Sequence, residues 1–251
     1  MPELADTIDT RITSGLHPEN VKAIDGYDDD TALVLEPTER AFAAAYEGVK
    51  SVWRAKDAVA NDPTLTESAR ILKVDDMATK VQGKLTREFD SVRVNLEKGI
   101  AHIEGELTAP VTAKASHGMA DSIRTHVKNL SAGERMPFIH EAINDGDDLT
   151  ASSILGAPAY LSGIDANMKQ TFTRMYHERT SPALAKRLRV MTAAKELVEQ
   201  RGGLILSQLE KAVGVVEVKS KQGMVVKRIR PQELREQRDK SDKAFALPSA
   251  A

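Results

Sequence analysis

The sequence predicts a mainly α protein: an elongated helical bundle with one very long helix and a small C-terminal β-hairpin. Three observations predict it. Aromatic residues make up only 4% of the 251 residues. The apolar content is therefore mostly Ala, Val, Leu and Ile, which suits close helix-on-helix packing better than a β-sandwich. From Val74 the apolar residues Ala78, Val81, Leu85, Phe89, Val92, Leu96, Ile100, Ile103 and Leu107 follow at steps of four or three. Their mean spacing of about 3.67 keeps them on one face of a nearly straight helix. After Gly214 the period changes to two, with Val216 and Val218 alternating with Glu217 and Lys219, which reads as a strand.

The elements follow in order. A short helix is expected over about Pro2 to Ser14, then an irregular acidic stretch holding Asp25, Asp28, Asp29 and Asp30. Pro37 opens the next helix, at a position where its missing N–H costs nothing. Phe42, Tyr46, Val49 and Trp53 line its face, and Asn61, Asp62 and Pro63 end it. Thr64 and Glu67 suggest a capping box at the start of the long helix. Pro110 disfavours helix in the residue before it, so the stop is expected by Ala109. About 45 residues make a rod of roughly 65–70 Å. Within it Gly83, Gly99 and Gly105 mark either close backbone crossings or weak points.

A helix over about Val111 to Leu130 follows, with Ala120, Ile123 and Val127 inward. Ser131 and Glu134 form a second capping box, opening a helix through Ile143. A short piece runs from Thr150 to Leu155 and a basic helix from Asp165 to Arg179. Ser181 and Pro182 start the last long helix, which Gly202 and Gly203 interrupt and which resumes to Val213. Ser220 to Gly223 is the turn of the hairpin, with Met224, Val225 and Val226 beyond it. From Arg230 the chain reads as a polar tail, mobile or ordered on a partner. The expected division is an acidic segment over 1–62, a helical body over 63–214, and hairpin with tail over 215–251.

The net charge of −2 conceals an asymmetry, since residues 1–62 hold 13 acids against 6 bases and the remainder 24 against 29. Such a split fits head-to-tail packing or an acidic partner, as well as ordinary surface variation. There is no cysteine, which excludes disulfides, thiolate-bound zinc, iron–sulfur clusters and thiol catalysis. No apolar run approaches the length of a membrane span, and the N-terminus lacks the pattern of a secretory signal.

Catalytic motifs are missing. His17, His102, His117, His126, His140 and His177 include no pair four apart around an acid, the spacing of a helical zinc site. The acidic run 25–30 and the group Asp145, Asp147 and Asp148 read as turns and helix caps rather than calcium loops. Gly202-Gly203 lacks the Lys-Ser/Thr of a phosphate loop, and Ser162-Gly163 lacks the preceding glycine of a nucleophile elbow. No enzymatic activity, cofactor or metal is expected.

The stretch Leu130-Ser131-Ala132-Gly133-Glu134-Arg135, then Phe138-Ile139, then Ser153 through Gly163 (SILGAPAYLSG) resembles helical accessory and structural proteins of tailed bacteriophages. The resemblance covers about residues 130–200 and carries no functional residue with it. It implies a particle component or assembly factor, located in the virion or the host cytoplasm. The function expected is a non-enzymatic structural or assembly protein of a phage particle. Its partners would be copies of itself or other particle proteins, with no membrane. The apolar stripe offers the expected subunit interface, at Val81, Leu85, Phe89, Val92, Leu96, Ile100 and Ile103. The alternative is a DNA-associated protein. Residues 165–201 hold 8 bases against 4 acids and residues 219–240 hold 8 against 3, which would put Lys186, Arg187, Arg189, Arg228 and Arg230 on phosphates.

Overall fold

The computed structural model describes residues 9–115 and 118–244. Among them are nine α-helices and one two-stranded antiparallel sheet. The helices are α1 (Glu19–Lys22), α2 (Asp29–Ala60), α3 (Glu67–Lys114), α4 (Ala120–Asn129), α5 (Ala132–Asp145), α6 (Asp148–Leu155), α7 (Ala166–Thr180), α8 (Pro182–Val213) and α9 (Pro231–Ala244). The strands are β1 (Val216–Lys219) and β2 (Val225–Ile229). The mainly α class, the very long helix and the hairpin are as expected. At 48 residues, α3 is about 70 Å long.

The chain forms two compact units, each assembled from separated stretches. One takes Met1–Ala23, Glu36–Arg93 and Glu196–Ala251; the other takes Ile24–Leu35 and Val94–Lys195. The helices α2, α3 and α8 each contribute residues to both.

In the first unit, α2 buries Phe42, Ala45, Val49 and Val52, α3 buries Val74, Ala78, Leu85, Phe89 and Val92, and α8 buries Val198, Ile205 and Leu209. Phe42 and Phe89 meet with ring centroids 5.3 Å apart. Gly48 lets α2 approach α3 closely, because a Cβ there would lie 3.1 Å from methyls of both Val81 and Leu85. The segment before α1 is pinned to this core. Thr13 N–H donates to Gln208 on α8, and the Arg11 guanidinium lies 4.7 Å from the Trp53 ring centre while bridging Asp9 and Asp57.

The second unit packs α4 to α7 around Val111, Val127, Ile139, Ile143, Ile154, Ile164, Phe172 and Tyr176. All residues of α6 from Thr150 to Leu155 are buried. Small side chains make that burial possible: a Cβ on Gly156 would lie 2.6 Å from both Ala115 Cβ and the Val111 carbonyl oxygen. Here α6 crosses the end of α3 at backbone contact.

Several boundaries differ from expectation. No helix covers Asp9 to Thr13; a 3-10 turn spans Ser14–Leu16, and residues 1–8 lie outside the described ones. The Asp9 carboxylate takes the Arg11 N–H, and the Thr13 hydroxyl takes the Gly15 N–H, so side chains displace the helical bonds. The first long helix starts well before Pro37, where the Asp28 carboxylate accepts the N–H groups of Asp30 and Thr31. Pro37 then sits inside α2 and deprives only the carbonyl of Leu33, an exposed residue that water can satisfy. Pro110 is tolerated inside α3 for the same reason, since Glu106 and Pro110 are exposed. On the opposite face the stripe continues past Leu107 to Val111 and Ala115.

At the start of α3 the cap is Thr66, accepting Ala69 N–H, while Thr64 donates to Asp62 instead. The expected helix over Val111 to Leu130 is divided, α3 ending at Lys114 and α4 starting at Ala120, with the Arg124 guanidinium donating to the Ala115 carbonyl. Gly202 and Gly203 do not interrupt α8, because Val198, Ile205 and Leu209 stay in phase and Gly202 rests beside Phe89. Of the three glycines in α3, only Gly99 is a crossing point, against Met191; Gly83 and Gly105 face open space. The tail from Arg230 is helical as far as Ala244. Leu234 is buried and Arg235 bridges Asp75 and Asp76 of α3, which anchors α9.

Candidate functional site

The stripe expected to form a subunit interface is covered by the chain itself. Leu85, Phe89, Val92, Leu96 and Ile103 are buried, while Val81 and Ile100 are half-buried. Leu85 and Leu96 retain 2% and 4% of their accessible surface, so both side chains are packed within the chain.

The cations proposed for phosphate contact are also largely engaged. Lys186 pairs with Asp28, Arg189 with Asp25 and Arg228 with Glu217, while Arg187 and Arg230 are exposed. Other bases of the second unit close helix C-termini, where carbonyls lack helical donors. Arg135 donates to the carbonyls of Val127, Lys128, Leu130 and Gly163. Arg179 donates to the Asn144 carbonyl at the end of α5, and Lys169 to that of Ala157 beyond α6. Of the basic excess read over 165–201, Lys169 and Arg179 therefore complete backbone hydrogen bonding inside the fold, and Lys186, Arg189 and Lys195 pair with acids.

The histidines serve locally. The His17 Nδ1 accepts the Glu19 N–H, His102 lies 3.5 Å from Glu106, His126 meets Phe138 edge-on, and His140 bonds Asn144. His117 lies outside the described residues. Among the described residues no group of three or more His, Asp or Glu side chains could hold a metal ion, and no helix is long and apolar enough to cross a membrane.

Two surface features remain. The first is a cleft of about 430 Å³ in the second unit, lined by Glu106, Lys114, Asp148, Tyr176, His177 and Ser181 among others. Two of its charges pair with each other. Lys114 Nζ is 3.0 Å from Asp148, which also accepts the Tyr176 hydroxyl at 3.3 Å. The bond to Asp148 raises the Lys114 pKa, burial raises that of Tyr176, and burial lowers that of His177. Lysine thus stays charged, and burial favours the neutral form of His177. Sequence reasoning missed this cleft, because Lys114, Asp148 and Tyr176 come from three helices and share no periodicity.

The second feature is the hairpin of the first unit. Val216 is buried and anchors β1. Beyond it Val218 is 42% exposed, Met224 64% and Val226 69%. The register pairs Val216 with Ile229, Glu217 with Arg228 and Val218 with Lys227, then shifts to pair Lys219 with Val225. A bulge therefore lies in β2 at Val226. With only two strands in the sheet, β1 keeps one edge that no strand of the described chain occupies. The hairpin is the candidate functional site: apolar side chains on a ribbon with an open edge.

The described residues thus define an all-α protein carrying a small hairpin. Compared with protein-family models, with curated proteins and with solved structures, the chain matches none of them.

Proposed function

We propose that this chain is a non-enzymatic structural or assembly protein of a phage particle, working through contacts between copies of itself. The observation that carries this reading is the exposed apolar hairpin. A two-stranded ribbon is marginally stable alone in water, and its exposed Val218, Met224, Val225 and Val226 favour burial on association. The apolar stripe of the long helix supports the reading less, since most of it is buried within the chain. The phage setting rests on the resemblance over residues 130–200.

The test is absolute mass by light scattering across a size-exclusion peak, at about 1 to 100 µM protein. A defined multiple of 27.4 kDa is expected. A monomer throughout that range refutes the reading, and duplex-DNA binding that weakens steeply with salt would favour the nucleic-acid alternative instead.

A further inference from the structure

We infer that β1 is the self-association edge, pairing antiparallel with β1 of a second copy about a two-fold axis at Val218. This rests on the assembly reading above and names its contact.

The geometry of the turn shows which groups face outward. Ser220 donates its N–H to the Met224 carbonyl and accepts the Gly223 N–H, so its backbone faces β2. Alternation along an antiparallel strand then turns Val218 toward β2, and turns the N–H and C=O of Glu217 and Lys219 to the open edge. A second β1 can bond these outward groups in only a few registers. Centring the axis on Val218 places Glu217 opposite Lys219 of the second copy, twice by symmetry. The two neighbouring registers that keep the outward groups bonded would place Glu217 on Glu217 or Lys219 on Lys219. Like charges directly opposite are unfavourable and opposite charges favourable, so the strand's own sequence selects one register.

The rest of the sheet agrees with that choice. Arg228 already pairs with Glu217, at 3.3 Å. Across the four strands this face would then read Arg228, Glu217, Lys219 and Val225, with opposite charges adjacent at the three charged positions. On the other face the half-exposed Val218 would meet its symmetry mate in a non-hydrogen-bonded pair, where side chains approach most closely. The outer edge of β2 is unsuited to the same role. Its bulge disrupts the run of outward groups, and its consecutive Lys227 and Arg228 would face like charges in a self-pair.

The experiment is a charge exchange read by sedimentation velocity on the full chain. Lys219→Glu alone and Glu217→Lys alone each put like charges opposite and should weaken self-association by on the order of tenfold or more. The double variant Glu217→Lys/Lys219→Glu should restore it. Mixing the two single variants should also restore it, because a Glu217→Lys chain paired with a Lys219→Glu chain has opposite charges at both facing positions. Restoration on mixing cannot arise from misfolded chains, which keeps the test valid should a single variant loosen the hairpin. Wild-type oligomers unaffected by Lys219→Glu, or single variants that stay apart when mixed, overturn the β1 pairing and leave the assembly reading standing. A monomeric wild type overturns both.

Discussion

Gly156 offers a prediction whose sign follows from geometry. It closes α6 with ordinary right-handed dihedrals, φ −78° and ψ −3°, so no backbone conformation forbids alanine there. The obstacle is space. The added Cβ would lie 2.6 Å from Ala115 Cβ, 2.6 Å from the Val111 carbonyl oxygen and 2.9 Å from the Ser152 carbonyl oxygen. The Val111 carbonyl is a main-chain atom of α3 that cannot rotate away, so α6 must lift off the end of α3. Overpacking of this kind costs roughly 1–3 kcal/mol. Stiffening the unfolded chain returns about 0.4–1 kcal/mol, so Gly156→Ala should destabilise by about 1–2 kcal/mol. Gly105 lies in the same unit, on an exposed face of α3, with nothing within 4 Å of its added Cβ. There the identical substitution should stabilise by up to about 1 kcal/mol. Urea unfolding followed by far-ultraviolet circular dichroism separates the two. With a slope of about 2 kcal/mol per molar, the midpoint should fall by about 0.5–1 M for Gly156→Ala and rise by up to about 0.5 M for Gly105→Ala. A Gly156→Ala midpoint at or above the wild-type value would refute the claim that α6 and α3 cross at backbone contact.

Three further outcomes are expected. Leu85→Asp should unfold the first unit, because a carboxylate buried between α2 and α3 costs about 4 kcal/mol or more; a thermal melt unchanged from wild type would restore the stripe as an exposed interface. Arg135→Ala should destabilise by about 2–4 kcal/mol, since four carbonyls lose a charged donor. Arg135→Lys should recover only part of that, an ammonium lacking the guanidinium's fork, and full recovery in a denaturant titration would refute the multidentate role. The bond with Arg11 holds the Asp9 carboxyl down to about 2, below its value in an unfolded chain. Its stabilisation is therefore complete above about pH 4 and is lost as pH falls through about 2. Solvent screening of the pair reduces it to on the order of 1 kcal/mol. Melting curves of wild type and Asp9→Asn should converge toward pH 2, and a constant gap from pH 7 to pH 2 would contradict the assignment.

The helices are legible in the sequence because each apolar stripe repeats at helical spacing within one stretch of chain. The Ser131–Glu134 cap is legible because its partners lie three residues apart. Pro37 and Pro110 mislead as helix boundaries, because the cost of an internal proline depends on whether its freed carbonyl reaches water. Gly202 and Gly203 mislead because packing against Phe89 outweighs local propensity. The basic excess over 165–201 suggests a nucleic-acid surface, yet the acceptors of Lys169 and Arg179 are carbonyls 12 and 35 residues away. No spacing rule reaches that far.

The same boundary runs through the hairpin. Alternation from Val216 to Lys219 and the Ser220–Gly223 turn place both strands from sequence alone, since period and turn chemistry are properties of adjacent residues. Period two says which side chains share a face; it does not say whether a third strand covers the edge. That no strand of the described residues pairs with the outer edge of β1, and that the α3 stripe is covered instead, was decided by tertiary structure. Burial depends on which distant segments return to a surface, and a one-dimensional pattern records only that a surface needs covering.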